Sequence, residues 1–189
     1  MGNVNDPADG KLYESFRFGD TSAYDQLMIR HGDSLTLYLY GYLHDWHDAE
    51  DLMIEAFARI MVKRPRIADG CFKAYLYKTA RNLAARFHAR RTKFSQFSFE
   101  EYPGEFADHE LIEEKLVESE RVAALHACLG RIDPELREAL WLIYFENMSY
   151  AEAASVMKVN AKRVDHLLSR GKKQMRLELE QEGLTGAFG

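Results

Sequence analysis

Ser149 to Met175 reads SYAEAASVMKVNAKRVDHLLSRGKKQM, and this stretch decides the fold. Ser149-Tyr150-Ala151-Glu152 has the form of a capping box, in which the serine hydroxyl and the glutamate carboxylate each satisfy a backbone N–H of the first turn. It predicts a short helix ending near Met157. After a turn of about three residues, Asn160 is placed to cap a longer helix that runs to about Gln181. Two capped helices joined by a short turn make a helix-turn-helix. On the second helix Val164, Leu167, Leu168, Gly171 and Met175 share one side at 3.6-residue spacing. Lys162, Arg163, His166, Ser169, Arg170 and Lys173 fall on the other. An apolar back and a cationic front suit docking in the major groove, where cations meet phosphates and base edges. Ser149, at the start of the first helix, joins Lys162, Arg163, His166, Arg170 and Lys173 as a candidate duplex-DNA contact.

Upstream, Asp133-Pro134 gives a helix N-cap followed by proline at the first helical position, opening a helix to about Phe145. Glu146-Asn147-Met148 supplies the turn. Leu116, Val117, Val122, Ala123, Leu125, Leu129 and Ile132 form a further apolar stripe, so this helical domain is expected over 111–182, with a flexible tail at 183–189. Residues 93–110 lack a sustained period, contain Pro103 and Gly104, and read as an acidic linker. Its acids, with those just beyond, are Glu100, Glu101, Glu105, Asp108, Glu110, Glu113 and Glu114. Residues 11–92 form a second helical domain behind a flexible start at 1–10. Helices are expected from Ser22 to about His44, from Trp46 to Lys63 and from Phe72 to Arg91. Strand-like alternation is hard to find, and the fold class is all-α, two small helical domains joined by the linker.

Charge follows this division. Residues 1–92 carry a net +1, residues 93–120 a net −7 and residues 121–189 a net +1, giving the −5 of the chain. Within the outer segments the cations cluster. Seven basic residues and no acid lie between Gly70 and Phe99, and seven lie between Lys158 and Arg176 against Asp165 alone. In the first cluster Phe72, Leu76, Ala80, Leu83 and Phe87 build an apolar stripe. Lys78, Arg81, Asn82, Arg86, Arg90 and Arg91 project elsewhere, followed by Lys93. Tyr75 and Tyr77 lie off the centre of the stripe, where packing and base contact fit equally well. Aromatics interleaved with cations suit single-stranded nucleic acid, since unpaired bases stack on rings while cations track the backbone.

Other classes fit less well. No Gly-rich phosphate loop, GxSxG or HExxH occurs, so neither an enzyme nor a cofactor site is indicated. His44, His47, Asp48 and Asp51 straddle a turn, and helix-start acids explain them more simply than a metal does. Cys71 and Cys128, 57 positions apart, do not form a disulfide framework or a zinc site. No apolar run reaches the roughly 20 residues of a membrane span, and the start lacks a secretory pattern. A cytoplasmic protein without membrane insertion is expected.

Three of these stretches, in this order and spacing, resemble the extracytoplasmic-function sigma factors of bacterial RNA polymerase, over roughly Phe16 to Glu182. Asp48-Ala49-Glu50-Asp51-Leu52 through Glu55-Ala56-Phe57 is similar to the family's segment that grips the clamp helices of the polymerase's largest subunit. The resemblance thus assigns core RNA polymerase binding to Asp48, Asp51, Glu55 and Phe57. Tyr75 to Leu83 resembles the segment that opens and reads the upstream half of the promoter. Tyr150 to Met175 resembles the part that reads the more distal promoter element. The family's acidic linker passes through the polymerase's nucleic-acid channel, and an anti-sigma factor is a common partner. The sequence departs from the family at Phe72, where tryptophan is commoner, and at Ile54, where a polar clamp contact is usual. It departs again at Asp165-His166-Leu167, where a basic, Ser, Arg run is frequent. Two other readings compete: a dimeric helix-turn-helix regulator that binds duplex DNA without polymerase, and a helical interaction module with solvated charged faces.

Overall fold

The computed structural model describes residues 8–95 and 128–181, with side chains for 8–91 and 128–181. The chain divides into two compact units, and the main division falls at residues 97–98. The expected linker acids and the stripe from Leu116 to Leu125 lie outside the described residues, as do residues 1–7 and the tail. All regular structure among the described residues is helical, and no described helix is long and apolar enough to cross a membrane.

The first unit contains α1 (Asp9–Arg17), α2 (Thr21–Leu43), α3 (Trp46–Lys63) and α4 (Phe72–Ser95). Each boundary has a local cause. Asp20 caps α2 by accepting from the N–H groups of Ser22 and Ala23, and Asp45 caps α3 by accepting from Asp48 N–H at 2.9 Å. Helices α2 and α3 end on His44 and Arg64 in the left-handed conformation (φ 53° and 42°), which turns the chain back without glycine. Helix α1 corrects the sequence reading. It begins inside the segment expected to be flexible, because Leu12, Tyr13 and Phe16 are buried along one side of it. Asp9 anchors its start, bonding Arg30 Nη1 at 2.5 Å and the buried His31 Nε2 at 2.8 Å. Burial opposes ionisation of Asp9, but His31 and Arg30 outweigh it and hold the carboxyl below its usual value.

The core of this unit is aromatic. Phe16 lies 4.4 Å from Tyr24 between ring centroids, Tyr24 meets Phe57 edge-on at 5.8 Å, and Tyr13 reaches Phe72 at 5.2 Å. Buried hydroxyls are matched: Tyr13 donates to the Pro65 carbonyl at 2.8 Å, and Tyr24 donates to the Phe57 carbonyl. These bonds tie α1 and α2 to the end of α3, where apolar contact alone would leave register loose.

The second unit contains helical residues 128–131, then α5 (Pro134–Leu140), α6 (Tyr150–Met157) as far as Ala154, and α7 (Ala161–Gln181). The sequence reading expected a regular helix to Phe145. Instead α5 passes into a wider π-type turn, Trp141–Phe145, closed by Glu146 N–H donating to the Trp141 carbonyl at 3.1 Å. The wider turn accompanies stacking of Trp141 on Phe145, centroids 4.6 Å apart and planes 10° apart. It also lets Trp141 Nε1 donate to buried Glu146 at 3.2 Å.

Candidate nucleic-acid interface

Both predicted caps of the helix-turn-helix form. Ser149 N–H donates to Glu152 Oε2 at 2.8 Å, Glu152 N–H donates to Ser149 Oγ at 3.3 Å, and Arg163 N–H donates to Asn160 Oδ1 at 2.8 Å. Between the helices Lys158 adopts φ 58°, and Val159 N–H donates back to the Ala154 carbonyl at 3.0 Å. That six-residue closure stops α6 and sets the start of α7. Val164, Leu167, Leu168, Gly171 and Met175 are buried on α7, with Leu179 extending the same side. A Cβ at Gly171 would lie 3.1 Å from Leu140 Cδ1 and 3.4 Å from the Leu136 carbonyl oxygen, so the absent side chain is what lets α5 and α7 approach.

Lys162, Arg163, His166, Ser169, Arg170 and Lys173 are all exposed. The surface is not uniformly available to DNA. Arg163 Nη2 donates to Glu135 Oε2 on α5 at 2.7 Å, and the Ser149 hydroxyl donates to Glu152 at 2.7 Å. Lys172 adds a cation that sequence reasoning left out. Its Nζ lies 5.3 Å from the Tyr144 ring centroid, beside the π-type turn.

On α4 the structure separates the two tyrosines. Tyr75 is exposed, whereas Tyr77 is fully buried, with its hydroxyl 3.0 Å from Ser34 Oγ and its ring 5.0 Å from Tyr38. Tyr77 is therefore a core residue, and the reading that gave it a base to stack on is corrected. Packing decides, because α4 is covered by both α2 and α3, which widens its buried side beyond the stripe visible in sequence. Lys78, Arg81 and Asn82 are half-buried, and Arg86, Arg90 and Arg91 are exposed. Arg91 lies over the half-buried Phe87 ring at 5.6 Å and reaches Asp48 Oδ2 on α3 at 3.4 Å.

The α3 acids are Asp48, half-buried, Asp51, exposed, and Glu55, which accepts from Arg59 Nη2 at 2.6 Å. Partial burial and the neighbouring Asp45 charge push the Asp48 carboxyl above its usual value, against the opposing pull of Arg91. Phe57 is 1% exposed against Tyr24, so its aromatic ring is core and not contact surface, a second correction. Conversely Met61 is exposed, as are Ile54 and Val62. Ile54, Ala58 and Met61 follow one another along α3 beside Asp51, so the acidic edge borders an apolar strip. The signal was present in the period, which placed these residues away from Leu52, Ala56 and Ile60.

Residues 27–94 match the family Sigma-70 region 2, and residues 123–175 match Sigma-70 region 4. The chain is 30% identical over 162 residues, 84% of its length, to the ECF RNA polymerase sigma factor SigE of Mycolicibacterium smegmatis. The chain belongs to the extracytoplasmic-function sigma factors. It spans 63% of the length of SigE, and 82% of the RNA polymerase sigma-H factor of Pseudomonas aeruginosa, to which it is 29% identical over 79% of its own length. Two solved structures share its fold. One is CnrH in complex with the cytosolic domain of CnrY, at TM-score 0.64 and 23% identity, covering 93% of this chain and 99% of CnrH. The other is the sigma factor RpoE in complex with the anti-sigma factor NepR from Bartonella quintana, at TM-score 0.63 and 20% identity, covering 83% and 96%. In this sigma factor, region 2 takes in α2 from Leu27 onward, α3 and nearly all of α4, and region 4 ends within α7 at Met175.

Proposed function

We propose that this sigma factor is a bacterial transcription initiation factor, not an enzyme, that binds core RNA polymerase in the cytoplasm and directs it to specific promoters. The single observation that carries the reading is the division of α7, with Val164, Leu167, Leu168, Met175 and Leu179 buried on one side and every cation of the helix exposed, on a helix that a short capped helix precedes.

Residues 11–92 act as the polymerase-binding and strand-capturing domain. Asp48, Asp51 and Glu55 on α3, with the apolar strip beside them, meet the clamp helices of the polymerase's largest subunit. Tyr75, Lys78, Arg81, Asn82, Arg86, Arg90 and Arg91 on α4 hold melted non-template strand, the cations neutralising phosphates and Tyr75 offering a stacking face. Residues 111–182 read the more distal element as duplex, through Lys162, Arg163, His166, Arg170 and Lys173 on α7. The acidic residues 93–110 pass through the polymerase channel. An anti-sigma factor that covers these surfaces fits a family whose solved relatives include a complex of that kind.

A regulator acting on duplex DNA alone leaves the exposed α4 cations without a task. Multi-round transcription with core RNA polymerase, with and without this chain, tests the reading. Promoter-specific RNA that depends on the chain is the expected result; no RNA from any template, with no co-purification, overturns it.

A further inference from the structure

Asp165 is the one acid between Lys158 and Arg176. It sits on the N-terminal part of α7, exposed, one turn from both Lys162 and Ser169. Two other acids of this unit pair with its cations: Glu135 with Arg163 and Glu178 with Arg131, each at 2.7 Å. Asp165 makes no hydrogen bond or ion pair with a described residue, and its charge acts only at longer range, on Lys172. Helix capping does not account for it either, since Asn160 already fills that role at 2.8 Å from the Arg163 N–H.

An unpaired carboxylate on a surface built to meet phosphates is electrostatically unfavourable unless it finds a donor there. Duplex DNA offers carboxylates few. In the major groove guanine presents two acceptors, thymine an acceptor and a methyl group, and adenine an amino group beside the N7 acceptor. Cytosine presents its N4 amino group beside a C–H edge, with no acceptor adjacent on the same base. It is the base whose own edge attracts a carboxylate without also repelling it. The N-terminal part of a recognition helix is also the part that reaches base edges.

We propose that Asp165 is a specificity-determining residue that accepts a hydrogen bond from cytosine N4 in the distal promoter element. The proposal rests on the reading of α7 as the helix that enters the major groove. Arg163, Arg170 and the lysines then supply attraction to any sequence, and Asp165 supplies discrimination by rejecting edges that carry only acceptors.

The test uses holoenzyme reconstituted from the full chain and core RNA polymerase, on a promoter library with the distal element randomised as duplex. Templates that yield RNA are sequenced. The wild-type chain is expected to favour cytosine at one position by roughly 5- to 100-fold. Asp165→Ala removes that preference and leaves the other positions unchanged. Asp165→Asn, which can accept from adenine N6 and donate to N7, moves the same position toward adenine. Unchanged preferences in both variants overturn the proposal, and so does a uniform gain by Asp165→Ala on all templates, which would mark the carboxylate as a phosphate repeller. Initiation by the wild-type chain with no base preference at any distal position would instead overturn the reading of α7, and the proposal with it.

Discussion

Arg163 of the recognition helix donates to Glu135 at the start of α5 at 2.7 Å, and both side chains are about half exposed. A cation assigned to DNA is thus held by a carboxylate in the same unit. Exposed pairs of this kind contribute little to folding, so Glu135→Gln is expected to change stability by less than about 1 kcal/mol. Its effect on DNA is larger. With Arg163 released, promoter binding by the holoenzyme should tighten, and the slope of log K against log salt should steepen by up to about 1. A salt titration of Glu135→Gln holoenzyme checks this. An unchanged slope would mean that Arg163 does not contact phosphate.

The two tyrosines of α4 should behave oppositely. Tyr77→Phe removes the bond to Ser34 and is expected to cost about 1 kcal/mol of stability. Tyr77→Ala empties a fully buried site and should cost about 3–5 kcal/mol. Tyr75→Ala should leave the melting temperature nearly unchanged and slow open-complex formation. Denaturation curves and a melting assay on promoter DNA separate the two. Loss of open complex in Tyr77→Phe at full stability would return Tyr77 to the DNA surface.

Helix α1 depends on charge at its first residue. The Asp9 carboxyl is held below its unfolded value of about 3.9, so its contribution is present above that pH and is lost as pH falls through the lower folded value. Asp9→Asn is expected to cost about 1–3 kcal/mol at neutral pH and to flatten the acid limb of stability below about pH 4. Unfolding followed from pH 7 to pH 2 in both proteins measures it. Parallel acid limbs would show that His31 and Arg30 do not depend on this carboxylate.

Gly171 marks the tightest crossing of the second unit. Gly171→Val places branched carbon against Leu140, and overpacking of this kind typically costs about 1–3 kcal/mol. Thermal melting should show the loss, with weakened distal-element reading as α7 is pushed outward. A variant as stable as the parent would mean that Leu140 moves aside without cost.

Much of this arrangement was legible in the sequence where one local rule acts alone. Ser149 with Glu152, Asn160 and Asp133-Pro134 announce helix starts because capping involves neighbours a few residues apart. The α7 division followed from period alone, since that helix has one buried side. Sequence leaves Tyr77 open because α4 is packed by more than one helix and period cannot tell a wide buried side from a narrow one, whereas Phe57 goes to the polymerase by resemblance and not by period. Helix α1 escaped notice because it is short and its start is fixed by Asp9 with Arg30 and His31, distant partners that only the fold brings together. The π-type turn at Trp141–Phe145 has no sequence rule, since stacking of two side chains accompanies it.

The central claim is that neither α4 nor α7 holds promoter DNA well until core RNA polymerase presents them together. With a net charge of −5 and short cationic faces, the free chain neutralises few phosphates, and affinity climbs steeply with that number. The direct measurement is binding to one promoter duplex at physiological salt, by the chain alone and by the chain with core RNA polymerase. Sequence-specific binding only when polymerase is present is the predicted result. Equally tight and selective binding by the chain alone would contradict the account.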